Sequence, residues 1–526
     1  MVTERGVGGK RAGSKERMSS PGKSWILQEA EGKLWKPTTL AHFLVDHEVP
    51  FERVRQLRPA SHGLVTRVLG VQPRLSCWMA IHPPSLDVRD LLLPNLLNMP
   101  FSDFGLGLDP ELRSIIMHTT AQSFGCPACS GHGLCFGTVL KGSELYMEKT
   151  RKAFDYELHS DDLSPREIAA AAFSRALGQV PTKVTLDDRL RLARVFSRAH
   201  EETVILMSSV MALMIRFTDT FGVPLELKTL LLAEQYLQPD DEEVDGLRWN
   251  PGKYISPWDS DRLERELAQA LEAGDLERKK EGIRERLKVF GMLARSGLGD
   301  EKAKTGIPLM KGRLSVVMKR ELGFCPYYLE RIRFLFPRRA IAATLVHYLN
   351  VESSPQLPVE LKYATCYLMA NKLNSEILRA HFGYLAIASG MPTRDLCLVG
   401  SGRYDVDLFS KTERFAFRIG EISCSSPAVL PPSLAKQLAD HFRPDALVEL
   451  ITVTAIFNVL YWLVSAIPPS RYEPEIAAFA DSVHGKLLRL RPGGETWPNW
   501  EEACDQVRPI RRVRVTSDEE STGSFL

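Results

Sequence analysis

The sequence lacks the short motifs that identify several common enzyme classes. It has no Walker phosphate-binding loop, and no GxGxxG or GxSxG motif in a setting where it would function. Strand-like alternation is scarce, and the nine cysteines are scattered over 526 residues rather than arranged as a disulfide framework. These absences argue against a nucleotide-binding α/β enzyme and a disulfide-stabilised secreted protein. The scattered cysteines favour a reducing compartment, and we expect a cytoplasmic location.

The chain also has little net charge and no sign of a secretory leader. A formal net charge of +2 argues against a dedicated nucleic-acid binder, which usually carries a concentrated basic surface. The first residues are rich in Gly, Lys, Arg and Ser and contain no apolar run. We therefore expect residues 1–24 to form a disordered tail, and we expect no nucleic-acid partner.

Two long apolar segments stand out in a sequence dominated by helical patterns. Residues 450–467 contain no charged side chain over 18 positions, and residues 204–217 are apolar on nearly every side. Because 18 residues is short for a helix that spans a membrane, buried core helices are the better interpretation. The predicted fold class is all-α, with no membrane partner.

The sequence aligns with itself when shifted by 249 positions. The shift brings residues 111–113 (ELR) onto residues 360–362 (ELK) and His132 onto His381. Each half then carries one long apolar helix, followed by a proline-containing break. The chain is therefore divided into a tail (1–24), a first helical domain (25–237), a charged linker (238–311), a second helical domain (312–490) and a C-terminal tail (491–526). Within the linker, residues 259–272 and 276–295 are predicted helices.

Residues 126–135 (CPACSGHGLC) concentrate three cysteines and a histidine. If a helix begins near Cys126, then Cys126 and Cys129 lie one turn apart, as do Cys129 and His132. The helix N-terminus and a nearby imidazolium would lower a thiol pKa, which favours a redox pair. Two alternatives remain open: inert packing cysteines, or a metal site formed by these three residues with Cys135.

These residues and their surroundings suggest a known family. Residues 108–113 (LDPELR), a helical run and residues 125–129 (GCPAC) with a following histidine resemble the carboxymuconolactone decarboxylase/AhpD-like superfamily. In the second half, residues 357–362 (LPVELK) and 374–381 (NSEILRAH) repeat the layout. The resemblance covers about 120 residues of each half and implies two AhpD-like helical domains that form an internal pseudo-dimer.

The resemblance also implies an activity. Family members with an intact CxxC often act as thiol-dependent hydroperoxide reductases, in which the second cysteine attacks the peroxide and the first resolves it. Carried over to this chain, Cys129 attacks, Cys126 resolves and His132 belongs to the proton relay. No cofactor is implied. The partners are a hydroperoxide or other small organic substrate and an external thiol reductant. Assembly of the chain into a homo-oligomer stays open.

The chain departs from the family pattern at several positions. The family histidine falls on Gly133, one residue after His132. The family glutamate falls on Ser114, with Glu111 one turn earlier, so Ser114 and Glu111 are the candidate acidic-side members of the relay. In the second half neither cysteine is present: Ser375 and Leu378 take their places. His381, the match of His132, is therefore expected to be structural.

Two further functions remain alternatives to dithiol chemistry. One is a non-enzymatic helical scaffold or small-molecule binder that keeps only the fold. The other is an enzyme of secondary metabolism, performing decarboxylation or lactone chemistry in a pocket of the same fold.

Overall fold

The computed structural model describes residues 38–69, 72–96, 107–126, 128–134, 144–226, 229 and 314–508. Regular secondary structure within these residues is entirely helical and includes no β-strand, so the predicted all-α class is confirmed. The predicted tail at 1–24 and the linker helices at 259–272 and 276–295 lie outside the described residues.

The first part of the chain contains eleven labelled helices. They are α1 (Leu40–Phe43), α2 (Phe51–Leu57), α3 (Pro59–Leu69), α4 (Leu75–Met79), α5 (Pro83–Leu96), α6 (Pro110–Phe124), α7 (residues 128–134), α8 (Glu144–Phe154), α9 (Pro165–Gly178), α10 (Leu186–Val195) and α11 (Arg198–Phe221).

The second part contains the remaining described helices. They are α12 (Leu314–Leu322), α13 (Tyr327–Arg331), α14 (Leu335–Thr344), continued by a π-helical turn at Leu345–Leu349, α15 (Val359–Lys372), α16 (Glu376–Ala388), α17 (Thr393–Gly400), α18 (Lys411–Ile422), α19 (Pro432–His441), α20 (Pro444–Ala466), α21 (Pro474–Asp481), α22 (Val483–Leu487) and α23 (Trp500–Val507).

Several helices of the two parts correspond in order and in local structure. α6, α7, α9, α10 and α11 follow one another as α15, α16, α18, α19 and α20 do. A capping box opens α9, where Ser164 pairs with Glu167, and another opens α18, where Ser410 pairs with Glu413. The internal similarity found by shifting the sequence thus coincides with similar local structure.

The two long apolar helices, α11 and α20, pack against each other more extensively than any other pair of described helices. Both are long and apolar enough to cross a membrane, but their apolar windows are entirely buried within the protein. This is the environment of a core helix, and it makes them weak indicators of a membrane span. The main apolar core runs without interruption from one part of the chain to the other.

The ends of α11 follow from local chemistry. Ser197 caps the first turn by accepting a hydrogen bond from the His200 N–H. At the other end Gly222 adopts a left-handed conformation with φ of +72°. A Cβ at Gly222 would lie 2.3 Å from the Cβ of Thr39, so both the backbone angle and the close approach of α1 require glycine here.

A buried polar cluster joins the two parts of the chain beside this helix pair. The Ser85 hydroxyl, from α5, lies 2.9 Å from His82 Nδ1 and 2.8 Å from the Tyr348 hydroxyl of the π-helical turn. Thr452 of α20 donates to the same oxygen at 2.9 Å. Because buried hydroxyls are costly unless they are bonded, these contacts favour one alignment of α5 against α20.

An ion pair completes the cluster. Lys362 of α15 pairs with Glu449 of α20, and both side chains are fully buried. Lys362 Nζ also donates to the carbonyl of Val351 at 2.7 Å and to that of Tyr348 at 3.3 Å. His82 Nε2 lies 3.9 Å from the Glu449 carboxylate. Burial lowers the pKa of Lys362, an effect that the facing carboxylate opposes.

The C-terminal boundary placed at residue 490 needs correction. Residues 491–508 were expected to belong to a tail, but they include α23, which packs against α10 of the first part. Buried Arg189 of α10 contacts Glu201 at 2.8 Å and Glu501 of α23 at 3.0 Å. These charged contacts hold α23 against α10, and residues 491–508 contain no apolar run that would predict a packed helix.

We expect Lys362→Met to destabilise the protein by about 3 kcal/mol or more, because it leaves Glu449 buried without its counter-charge. The double variant Lys362→Met with Glu449→Leu should recover most of that loss. The measurement is the free energy of unfolding in urea. A single variant as stable as the parent protein would show that the pair does not stabilise the packing of α15 on α20.

Three buried histidines predict a dependence of stability on pH. Burial lowers the pKa values of His42, His82 and His118 to about 4. Unfolding exposes each ring and returns its pKa to about 6.5, so the unfolded chain binds more protons between pH 6.5 and 4. Each histidine therefore removes stability as the pH falls through this window, by up to about 1.4 kcal/mol per pH unit.

The contribution of one histidine is measured as a difference between variants. The pKa of Asp87 is raised to about 6 by burial, which acts in the opposite direction and makes the net slope uninformative. Between pH 6.5 and 5, His118→Gln should lose less stability than the parent protein. The exposed His484 is the control, and His484→Gln should follow the parent. Identical slopes for all three proteins would contradict a buried, neutral His118.

Candidate functional site

The cysteine motif begins at a tight helix-to-helix turn. α6 ends at Gly125, which has a φ of +82° and whose N–H bonds the carbonyl of Gln122 at 3.0 Å. The N–H of Cys126 then bonds the carbonyl of Ala121, also at 3.0 Å. These bonds close the end of α6 and leave Cys126 just before α7, with its carbonyl accepting from the Ser130 N–H at 3.0 Å.

The turn brings the two thiols together, as the spacing predicted. The Cys129 N–H donates to Cys126 Sγ at 3.4 Å. Cys126 is fully buried, whereas Cys129 retains 3% of its exposure. Burial raises the pKa of the Cys126 thiol well above its usual value, and the Cys129 thiol and the Asp219 carboxylate raise it further. The lowered pKa expected at a helix start is therefore not found for Cys126.

Cys129 and His132 line one cavity of about 60 Å³. A single water needs roughly 10–15 Å³ on this scale, so the space suits a few waters or a small organic molecule. The wall is mainly apolar and consists, besides these two residues, of Val65, Pro73, Leu75, Arg89, Leu93, Met117, Met211, Met214 and Thr218. Arg89 is held by the Asp90 carboxylate and by the hydroxyls of Ser61 and Ser76, so its charge is compensated.

His132 has an acidic partner that the sequence did not suggest. Its Nε2 lies 2.6 Å from Oε2 of Glu226, in the segment that follows α11. The other Glu226 oxygen accepts a hydrogen bond from the Arg74 N–H at the start of α4. Burial disfavours the Glu226 carboxylate, but the facing His132 and these hydrogen bonds more than offset it and lower the pKa.

The two relay residues proposed from sequence bond elsewhere. Ser114 Oγ donates to the carbonyl of Gly133 at 2.7 Å, which ties α6 to the end of α7. Glu111 faces Lys149 of α8 at 3.7 Å, and Lys149 also contacts Glu167 at 2.7 Å. Both contacts connect helices to one another, and neither involves a thiol.

The second half repeats this arrangement without the thiols. Asn374, with φ of +53°, takes the place of Gly125. The Ser375 N–H bonds the carbonyl of Ala370 at 2.9 Å, as Cys126 bonds Ala121. His381 Nε2 lies 2.8 Å from Glu473 Oε2, and the other Glu473 oxygen accepts from the Tyr327 N–H at the start of α13.

The sequence contains an indication of Glu226, because an acid follows the histidine at a similar distance in each half. Glu226 lies 94 residues after His132, and Glu473 lies 92 residues after His381. Each follows the long apolar helix of its half. At the shift of 249 Glu226 falls on Glu475, so Glu226 and Glu473 align only when a two-residue gap is placed after the long apolar helix.

Comparisons with protein-family models, with curated proteins and with solved structures found no match to this chain. The functional interpretation therefore rests on the geometry of the site.

Metal binding is the remaining alternative at the cysteine motif. Cys135 lies outside the described residues, and among the described residues no group of three His, Cys, Asp or Glu side chains is placed to hold a metal ion. Since ligands spaced three residues apart on one helix cannot close a tetrahedron, we expect protein purified without chelator to contain well under one zinc or iron per chain. Mass spectrometry of the metal content tests this. Stoichiometric metal that is lost in Cys135→Ser would contradict it.

Proposed function

We propose that the protein is a thiol-dependent reductase of small hydroperoxides, or a related dithiol–disulfide oxidoreductase. The observation that carries the proposal is that Cys129 and His132 line one small cavity while Cys126 lies directly behind Cys129. A thiol and an ionisable ring at the wall of one cavity, with a second thiol in contact with the first, are the groups that such chemistry requires.

The burial of the two thiols supports Cys129 as the attacking and Cys126 as the resolving cysteine. Cys129 reaches the cavity, whereas Cys126 is fully enclosed and its pKa is raised. The Cys129 thiolate attacks the terminal oxygen of the hydroperoxide, so the O–O bond breaks and the alkoxide leaves as an alcohol after taking up a proton. Cys126 then attacks the Cys129 sulfenic acid, which forms the disulfide and releases water. An external thiol reductant returns both cysteines to the reduced state.

We also propose that the chain is a tandem of two AhpD-like domains arranged as an internal pseudo-dimer. The shared helix order, the paired capping boxes and the repeated His–Glu contact support this. The packing of α11 on α20 would then cover the surface that a single-domain relative covers by self-association. A reducing compartment, the cytoplasm, suits the described cysteines, all of which are free.

One observation favours the second candidate, a scaffold or small-molecule binder without thiol chemistry. The His–Glu contact persists at His381 and Glu473, where no cysteine is present. The contact therefore has a structural value of its own, since Glu473 also bonds the first turn of α13.

Substitution of each cysteine separates these two functions. With tert-butyl hydroperoxide and dithiothreitol, Cys129→Ser should abolish turnover, because the attacking thiol is lost. Cys126→Ser should accumulate a sulfenic acid on Cys129 that dimedone labels. Turnover is followed by loss of hydroperoxide, and labelling by mass spectrometry.

Cys397→Ser, which alters a partly exposed thiol of the second half, is the matched control and should keep the activity of the parent protein. Slow, equal alkylation of all nine cysteines, together with no turnover, would contradict the reductase and favour the scaffold.

A further inference from the structure

We propose that Glu226 is a positioning residue for His132, and that it holds the imidazole at the cavity wall in the protonation state that supports the Cys129 thiolate. The inference rests on the proposed dithiol chemistry. It states that Glu226 changes the reactivity of Cys129 through His132.

The first step is the orientation of the ring. Glu226 is almost fully buried, and its carboxylate contacts His132 Nε2 at 2.6 Å. An ionised carboxylate only accepts hydrogen bonds, so Nε2 must carry the proton. Nδ1 is then the nitrogen left to exchange a proton with groups in the cavity.

The second step is that Glu226 is itself held in place. One oxygen accepts from the Arg74 N–H, and the oxygen that faces His132 also accepts from the Thr229 hydroxyl at 3.4 Å. Hydrogen bonds at both oxygens hold the Glu226 carboxylate against the His132 ring. A nearby negative charge stabilises the imidazolium, and an imidazolium on the same helix as Cys129 stabilises the thiolate.

The third step separates positioning from a purely structural role. Glu473 makes the same contacts to His381 and to the Tyr327 N–H, in a half where Leu378 stands in place of Cys129. If the pair only holds helices together, breaking either copy should have the same consequences. If Glu226 acts on Cys129, only the first copy should change thiol reactivity.

Other ionisable groups surround the thiols and remain the same in every variant. Arg89 from α5 reaches the cavity wall, and His118 from α6, whose pKa is lowered to about 4, stays neutral above pH 5. Asp219 and Arg216 of α11 both interact with Cys126. Because these groups are common to all the proteins compared, a difference between variants reports on Glu226.

The test is the rate of iodoacetamide labelling of Cys129 between pH 5 and 8, resolved by peptide mass spectrometry on the full chain. In Glu226→Gln the imidazolium that favours the Cys129 thiolate loses its counter-charge, so labelling at pH 7 should slow by up to about tenfold. Glu226→Asp, which keeps the charge, should restore part of the rate. Glu473→Gln should follow the parent protein, although it removes the same kind of contact.

Three results would overturn the proposal: superimposable profiles for Glu226→Gln and the parent protein, equal shifts in Glu226→Gln and Glu473→Gln, or no labelling of Cys129 in the parent protein. If Glu226→Gln does not fold, His132→Asn replaces it. His132→Asn should show the same slow labelling, and an unchanged profile would again overturn the proposal.

The outcome is distinct from that of the hydroperoxide assay. A shifted profile without hydroperoxide turnover would retain the positioning role and reject the reductase. Turnover with an unshifted profile would retain the reductase and reject the role of Glu226.

Discussion

The contact between α11 and α20 is the constraint on which the rest of the structure depends. The central turns of both helices are apolar on nearly every side, and leaving either in water would cost about 1.5–3 kcal/mol for each large side chain exposed. Each therefore needs cover on every side. The two helices cover one another, α5 and α6 pack on α11, and α15 packs on α20. The cavity follows from this arrangement, because Met211 and Met214 of α11 form part of its wall.

Apolar packing alone does not fix how two smooth helices align, and the buried polar cluster supplies that specificity. Ser85 bonds His82, Tyr348 and Thr452 at once, which favours the observed alignment of α5 with α20. The buried Lys362–Glu449 pair adds a similar demand, since displacement of either charge would leave the other without compensation. Hydrophobic burial thus drives association of the two parts, and the polar groups select its geometry.

The functional site is a local variation on an arrangement that occurs twice. In both halves a left-handed residue ends one helix, the next helix carries a histidine, and a distant glutamate binds that histidine and a backbone N–H. Only the first half places thiols in this frame. This arrangement therefore forms without the thiols. In the first half it encloses the thiols and places beside Cys129 an imidazole with a fixed acidic partner.

The sequence by itself determined the helical fold class, the two core helices and the proximity of Cys126, Cys129 and His132, because each depends on periodicity or on spacing within a few turns. It did not determine the acid that faces His132. The family resemblance indicated Ser114 or Glu111, but these side chains bond Gly133 and Lys149. Glu226 reaches the ring only because the chain returns to it 94 residues later, after α11 has packed into the core. Such a contact depends on the tertiary structure, since no local preference of the backbone joins residues so far apart.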